Sequence, residues 1–386
     1  MRIVGVAEKL RIAFLVDRFG RRFGGAEAYG VNLVELLCKR HEVTVIAHDF
    51  DHDLPVREIR VRQQRKVWPS WVRVWHFAWR ARALTRSGYD VVHSHMDGSA
   101  GDIQVMHVTP YRLRRLNGKA WWQRALVWIQ PRNLAYLLLE EASVTQRPGR
   151  KLVAVSPFLR DQLHVAYGAS LPIVVVPPGA NAVAHDPNVR ERTREALGWA
   201  PTDKGALLVA RNPLRKGLEA VLQAIETLPD DFHLAVVGAG PDLGDYLARR
   251  HPGLRNRVNL IPPTPDVSPY YQAADVYVHP TLGDSFGMAP LEAMAHDLPV
   301  IVSSAKYCGF AEYVRHLHDA WILQDPQDSA DIARAISELC TSASTRARLL
   351  RSGAELIQSM SWRVVASKYE ALYVQSIEQR SASLAR

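Results

Sequence analysis

The sequence predicts an α/β protein of two doubly wound, parallel-sheet domains facing a central cleft. Short, continuous Val/Ile-rich runs recur between helical patterns, the mark of strands covered on both faces. The alternation stops at a stretch punctuated by Pro, Gly and Asn, residues 177–188, and then restarts. At 386 residues the chain has room for roughly two or three domains of ordinary size.

In chain order, RIAFLV (11–16) reads as a buried strand. A Gly-rich turn follows, then a helix whose stripe is Val31, Leu33, Val34, Leu36 and Leu37. EVTVIAH, VVHSH, IQVMHV and KLVAVS are the next strands, and IVVVPPG closes the first set. After the linker, ALLVA, FHLAVVG, VNLI, DVYVH and LPVIVS are strands, with helices starting at Gly217, Asp242, Asp266, Phe286 and Gln327. Two helical stretches, 344–359 and 362–379, end the chain. The expected domains are residues 1–184 and 185–360, with a closing segment over 361–386.

Composition removes several classes of protein. Apolar residues make up 47% and charged residues 23%, as in ordinary soluble domains, so large-scale disorder is not expected. Cys38, Cys308 and Cys340 are too scattered for a disulfide framework or a four-ligand zinc site, which fits a reducing compartment. The longest nearly uncharged stretch, 162–187, is broken by Gly168, Pro172, Pro177, Pro178 and Gly179 and cannot form one spanning helix. The first residues carry early charges and no small-residue cleavage site, so no signal peptide is expected.

Charge is unevenly placed. Residues 1–180 carry 27 Lys/Arg against 15 Asp/Glu, a net of +12, while the remainder carries 21 against 24, a net of −3. Such asymmetry suggests a polyanionic partner for the first half. No recognised nucleic-acid motif accompanies the charge, so no nucleic acid is expected. Trp68, Trp71, Trp75 and Trp79 step by three, four and four, which is one helical face. A second stretch, 111–128, mixes Arg112, Arg114, Arg115, Lys119 and Arg124 with Trp121, Trp122 and Trp128. Basic residues beside Trp suit the headgroup zone of a bilayer; the buried face of a core helix gives the same periodicity.

Four motifs carry candidate chemistry. Gly24-Gly25-Ala26-Glu27 follows the first strand and opens a helix, where backbone N–H groups approach an anion; a plain tight turn reads the same way. The dinucleotide fingerprint G-x-G-x-x-G is absent. Arg211-Asn-Pro-Leu-Arg-Lys216-Gly217 puts cations at a strand-to-helix turn, either as a solvated loop or as the seat of a diphosphate. The Gly238-Ala239-Gly240 turn leaves room for a flat group such as a base. In HPTLGDSFGMAPLEAMAHDLPVIVSS, Asp284 sits in a loop, and Phe286, Gly287 and Met288 lie at a helix start. Glu292 is eight residues beyond the aspartate. Two acids around a helix start can contact two parts of one ligand and hold a phosphate between them.

Together these pieces resemble the retaining family-4 glycosyltransferases of the GT-B fold, which has two Rossmann-like domains, over nearly the whole chain. GGAE, R-x-x-x-x-K-G at 211–217, the VVGAGP turn, DSFGMAPLEAMA and the closing SWRVVASKYEALY carry the resemblance. It implies a nucleotide-sugar donor, UDP-sugar favoured over GDP-sugar, held mainly by the second domain, with no further cofactor. By the same resemblance Glu292 would hold the ribose and Asp284 the donor sugar hydroxyls. Arg211 and Lys216 would hold the diphosphate. Ser285, Phe286, Gly287, Met288, Gly24 and Gly25 would assist, and Gly238 and Gly240 would border the base. His107 matches a family histidine that approaches the reacting carbon, the alternative being a satisfied histidine at a strand end. His93 and His95 are read as structural, and Cys308 as a buried filler or a residue at the edge of the site.

This chain departs from the family pattern in three places. Asp284 stands where Glu is usual, His296-Asp297 replaces Ala-Gly, and Asn-Pro follows Arg211. Within the family, Cys308-Gly309-Phe310-Ala311-Glu312 and the segment 112–128 look most like the lipopolysaccharide core glucosyltransferases. That likeness implies a cytoplasmic protein, peripheral on the inner face of an anionic bacterial membrane, acting on an anionic lipid-linked glycan. No carboxylate pair flanks the bond by obvious spacing, so the double-displacement geometry of retaining hydrolases is not suggested; the resemblance implies a front-face transfer, in which the departing phosphate takes the acceptor proton. No D-x-D pair is present, and cations with helix termini suffice for the diphosphate, so no metal is expected. Two other readings fit the same fold: a nucleotide-sugar epimerase and a non-catalytic membrane-associated binding protein.

Overall fold

A computed structural model describes residues 9–62, 68–95 and 99–385. Residues 1–8, which bear on the signal-peptide expectation, lie outside them. The strands, in chain order, are β1 (Arg11–Leu15), β2 (Arg18–Gly20), β3 (Glu42–Ala47), β4 (Asp49–Asp51), β5 (Arg57–Arg60), β6 (Val91–Ser94), β7 (Ile103–Met106), β8 (Lys151–Ala154) and β9 (Ile173–Val175). They continue with β10 (Lys204–Val209), β11 (Phe232–Val237), β12 (Val258–Ile261), β13 (Val276–His279), β14 (Val300–Ser303) and β15 (Trp321–Leu323). The chain divides into two compact units: Met1–Pro178 with Trp362–Arg386, and Gly179–Ser361.

The first unit holds a seven-stranded sheet in the order β5-β3-β1-β6-β7-β8-β9. All its pairings are parallel. Ile12 to Leu15 are completely buried, as a continuous apolar strand between helical layers demands. The chain runs from β1 outward to β3 and β5, then returns to β6 on the other side of β1, which makes a topological switch point there. The Trp362–Leu384 helix belongs to this unit. Its Tyr369 hydroxyl lies 2.9 Å from that of Tyr29, Tyr373 lies 2.8 Å from His93 Nδ1, and Arg380 donates to Asp102 at 3.1 Å.

The second unit repeats the plan with six parallel strands, β12-β11-β10-β13-β14-β15. β10 is the first strand and lies at the centre; β13 pairs with it in the register Ala206↔Val276 and Leu207↔Tyr277. Residues 179–184 were expected with the first domain. Instead the Ala180 N–H donates to the Met360 carbonyl and the Val183 N–H to that of Ala295, so backbone hydrogen bonds tie this stretch to the second unit.

The four-tryptophan stripe is not the buried face of its helix. The Ser70–Leu84 helix buries Phe77, Ala78 and Ala81, with Phe77 and Ala81 against Ala13, Leu15 and Ile46 of the sheet. Trp75 and Trp79 remain 40% and 62% exposed. In the Trp121–Ile129 helix only Val127 is buried, while Trp121 is 81% and Ile129 73% exposed. Among the described residues no helix is long and apolar enough to cross a membrane.

Candidate functional site

The loops leaving the carboxyl ends of β10 and β13 flank the switch point of the second sheet, where open α/β sheets bind ligands. After β10 the chain makes one short turn, Leu214–Lys216, and enters the Leu218–Thr227 helix through Gly217 at φ 87°. A Cβ at Gly217 would stand 2.0 Å from the Pro280 carbonyl, so only glycine lets this turn lie against the loop after β13. The approach delivers Lys216 to Asp284, Nζ donating to Oδ2 at 2.6 Å. His279, the last residue of β13, places Nε2 3.1 Å from the same oxygen, and the Tyr277 hydroxyl lies 3.3 Å from its Nδ1. Oδ1 of Asp284 therefore has no partner among the described residues.

These contacts set the charges. Burial works to raise the Asp284 carboxyl, but His279 and Lys216 outweigh it and hold the group well below the usual carboxylate range. Burial pushes the His279 imidazole down, against the pull of Asp284. The loop carrying Asp284 is pinned through its backbone: the Asp284 N–H donates to Tyr307, and the Gly309 and Phe310 N–H groups donate to Asp284 and Phe286. Cys308 lies fully buried in this frame, its thiol directed at the Phe286 carbonyl at 3.2 Å and pushed up to about 12 by burial. It is an inert filler at the edge of the site.

The helix expected at Phe286 begins two residues later, at Met288, capped by Gly287 at φ 101°. Phe286 is buried below it. The free donors of the first turn are therefore those of Met288 and Ala289, while Pro290 offers none. Glu292 stands in the second turn with its Oε2 accepting the Tyr271 hydroxyl at 3.2 Å. Burial, with no cation in compensation, raises its carboxyl to about 7. The helix ends at His296, and Asp297 takes φ 54°, the left-handed conformation that glycine adopts without cost.

The other expected residues are placed as follows. Arg211 is exposed at the end of β10, and Ser285 is half-buried beside Asp284. The N–H groups of Gly238 and Ala239 both donate to the Ile261 carbonyl, so those amides are already used, whereas the space beside Gly240 is open. The fold thus brings Lys216 and Asp284 into contact. Glu292 touches neither, though burial raises the Tyr277 hydroxyl and both carboxylates add to that rise. His279 lay inside the quoted motif without a role, and its place at the strand end, five residues before Asp284, was the available signal. Tyr271 gave no signal, being 21 residues from Glu292.

In the first unit, Gly24 caps and Gly25 opens the Gly25–Leu37 helix. His95 Nε2 lies 3.0 Å from the Ala26 carbonyl and its Nδ1 3.4 Å from His93 Nε2. With the His93–Tyr373 contact, this chain of neutral groups links the helix start to the last helix. Burial pushes His93 and His107 far down and His95 to about 4. The His107 ring lies 4.3 Å from that of His95, tilted by 59°. Its buried Nε2 has no partner among the described residues. The same holds for Oε1 of Gln104, a residue only 2% exposed that the sequence did not single out.

Comparison with known proteins shows the family and the fold. Residues 203–342 match the family model of group 1 glycosyl transferases, and residues 23–183 that of glycosyltransferase family 4. A D-inositol 3-phosphate glycosyltransferase of Xylanimonas cellulosilytica is 30% identical over 329 residues, 78% of this chain and 76% of the relative. One from Geodermatophilus obscurus is 29% identical over 324 residues, 77% and 69% of the two chains. Among solved structures, WaaG, a glycosyltransferase involved in lipopolysaccharide biosynthesis, superposes with a TM-score of 0.78 at 21% identity over 94% of this chain and 99% of its own. The Anabaena protein HepE, solved with UDP and glucose, gives 0.72 at 17% identity over 93% and 98%. These structural likenesses show the two-domain GT-B fold.

Proposed function

The chain belongs to the family-4, group 1 glycosyltransferases, retaining enzymes that take a sugar from a nucleotide-sugar, and on that premise we propose a UDP-hexose donor and a phosphorylated acceptor at a membrane surface. The second domain holds the donor and the first takes the acceptor. The contact of Lys216 with Asp284 and His279 at the switch point, with Glu292 across one helix start, is the observation that carries the reading.

The groups divide the work. Glu292, once ionised, accepts the ribose hydroxyls. Asp284 turns its unused Oδ1 to the hydroxyls of the sugar, while His279 and Lys216 fix its plane. As the glycosidic bond lengthens, negative charge builds on the β-phosphate, and Arg211, Lys216 and the Met288 and Ala289 amides stabilise it without rearranging. The departing phosphate takes the proton of the incoming acceptor hydroxyl on the same face. His107, neutral by burial, orients the sugar and carries no charge of its own. UDP release from UDP-hexoses should rise on adding acceptor, with an α-linked product by NMR from an α-linked donor. Failure of every UDP-sugar to bind would refute the reading.

The membrane part rests on Trp121, Trp122, Leu126 and Ile129, all more than half exposed, beside Lys119 and Arg124. Vesicles rich in phosphatidylglycerol should retain the protein, and Trp121→Ala with Trp122→Ala should release it. A soluble polyol phosphate as acceptor is favoured instead by the name of the curated relatives. In that case the vesicles would not retain the parent protein.

A further inference from the structure

The helix that carries Glu292 ends on a residue with no part in the proposed chemistry. His296 caps the Met288–Ala295 helix and stands where the family pattern has alanine. Its Nδ1 lies 2.7 Å from the Glu292 carbonyl. A carbonyl only accepts, so Nδ1 carries the hydrogen. Burial pushes the imidazole down, against the pull of Asp266 and Asp297, the acidic side chains that face it. The ring is therefore neutral, and its Nε2 accepts the Ser268 hydroxyl, 2.9 Å away at the start of the Ser268–Ala273 helix. One tautomer is fixed, and the ring ties two helices together.

The face of the ring is used as well. It stacks on Tyr271 with centroids 4.9 Å apart and planes 25° from parallel. Tyr277 adds a second ring contact to that tyrosine, at 5.8 Å. Tyr271 is buried, and its hydroxyl has two acceptors in reach: Oε2 of Glu292 at 3.2 Å and the Ala289 carbonyl at 3.4 Å. A phenol has one proton to give, so the setting of the ring decides how well the carboxylate competes for it. Tyr271 and Tyr277 are the titratable groups that face the Glu292 carboxyl among the described residues.

We propose that His296 is a positioning residue for donor binding: it holds Tyr271 by stacking and by bonding both helices, so that the tyrosine hydroxyl stays on Glu292 and the carboxylate is set for the ribose. The inference rests on the glycosyl-transfer reading, in which Glu292 takes the ribose. His296 acts through Tyr271, and its effect falls on the protonation of the acid. The Tyr271 hydroxyl favours the ionised carboxylate against burial. Loosening the tyrosine moves the pH at which UDP binding strengthens to a higher value.

Calorimetric titration of UDP into the full-length protein between pH 5.5 and 8.5 tests it. Each variant is read as its difference from the parent, which cancels the titration of UDP itself. The affinity of the parent should rise with a midpoint of about 7. Tyr271→Phe removes the hydroxyl and should move the midpoint up. For a move of one unit, the ionised share at pH 7 falls from one half to about one in eleven, and affinity falls about fivefold. Most of that loss should return by pH 8.5. His296→Ala should move the midpoint in the same direction by less, and the double variant no further than Tyr271→Phe alone. If His296→Ala does not fold, Ser268→Ala, which frees the outer nitrogen of the ring, should give the same upward move. An unchanged midpoint in His296→Ala, or a loss of affinity equal at every pH, overturns the proposal. So does a midpoint moved down, which would mean that His296 only keeps water from the carboxyl. A parent that binds no UDP strikes the glycosyl-transfer reading itself, whereas UDP binding with an unmoved midpoint strikes His296 alone.

Discussion

Glu292→Gln should make the fold more stable and the donor site worse, and the gain should depend on pH. The carboxyl stands at about 7 in the folded chain against an ordinary value of 4.5, because burial disfavours its ionised form. A group raised on folding contributes stability that is complete below the unfolded value and is lost as pH rises towards the folded one. At about 1.36 kcal/mol per unit, ionising Glu292 costs the fold about 1 kcal/mol at pH 5.5 and about 3 kcal/mol at pH 8. Glutamine keeps an oxygen for the Tyr271 hydroxyl and removes the titration. The variant should gain about 2 kcal/mol over the parent between those two pH values, on the order of 4–8 °C in the melting temperature of a unit this size. Thermal unfolding of both proteins at pH 5.5 and 8 measures it. A gain that is the same at both pH values, or a variant less stable at pH 8, would refute the argument. On the proposed role the ionised form is the one that takes the ribose hydroxyls, so UDP binding by the parent should strengthen as pH rises through 7. The glutamine variant should bind UDP weakly and without that pH dependence.

Three further outcomes follow from the same geometry. Gly217→Ala forces a Cβ onto the Pro280 carbonyl at a left-handed φ; calorimetry should show a loss of at least about 2 kcal/mol together with weaker UDP binding. Asp297→Gly relieves the left-handed conformation at φ 54° and should stabilise the fold by about 1 kcal/mol without altering donor affinity, read by chemical denaturation. Lys216→Met removes one of the two partners of Asp284 Oδ2, at a cost of about 1–3 kcal/mol. A depressed carboxyl contributes stability that is lost as pH falls through its folded value, and that value rises in the variant. Its acid unfolding midpoint should therefore move to higher pH, while an unchanged midpoint would mean that His279 alone holds the charge.

What the sequence revealed and what it hid divide along physical lines. Parallel strands buried on both faces are continuous apolar runs, so both sheets were legible, as was the restart between them. Gly217 was legible as a turn, but its reason was not, because the carbonyl it must avoid lies 63 residues away in the chain at Pro280. Periodicity placed the tryptophans 68, 71, 75 and 79 on one helical face, yet could not say which face the sheet would take. Phe77 and Ala81 won that contest, since they fit against Ala13 and Leu15 where an indole would not. The identity of Asp284 was legible and its electrostatic state was not. A carboxylate with one oxygen held by Lys216 and His279 and the other unspent is a product of two loops converging on one switch point. The shorter acid at this position is then understandable in its own terms. With His279 at the strand end supplying a donor from below, an aspartate reaches both its partners without the extra methylene of glutamate, and the longer side chain would have to fold back to keep them.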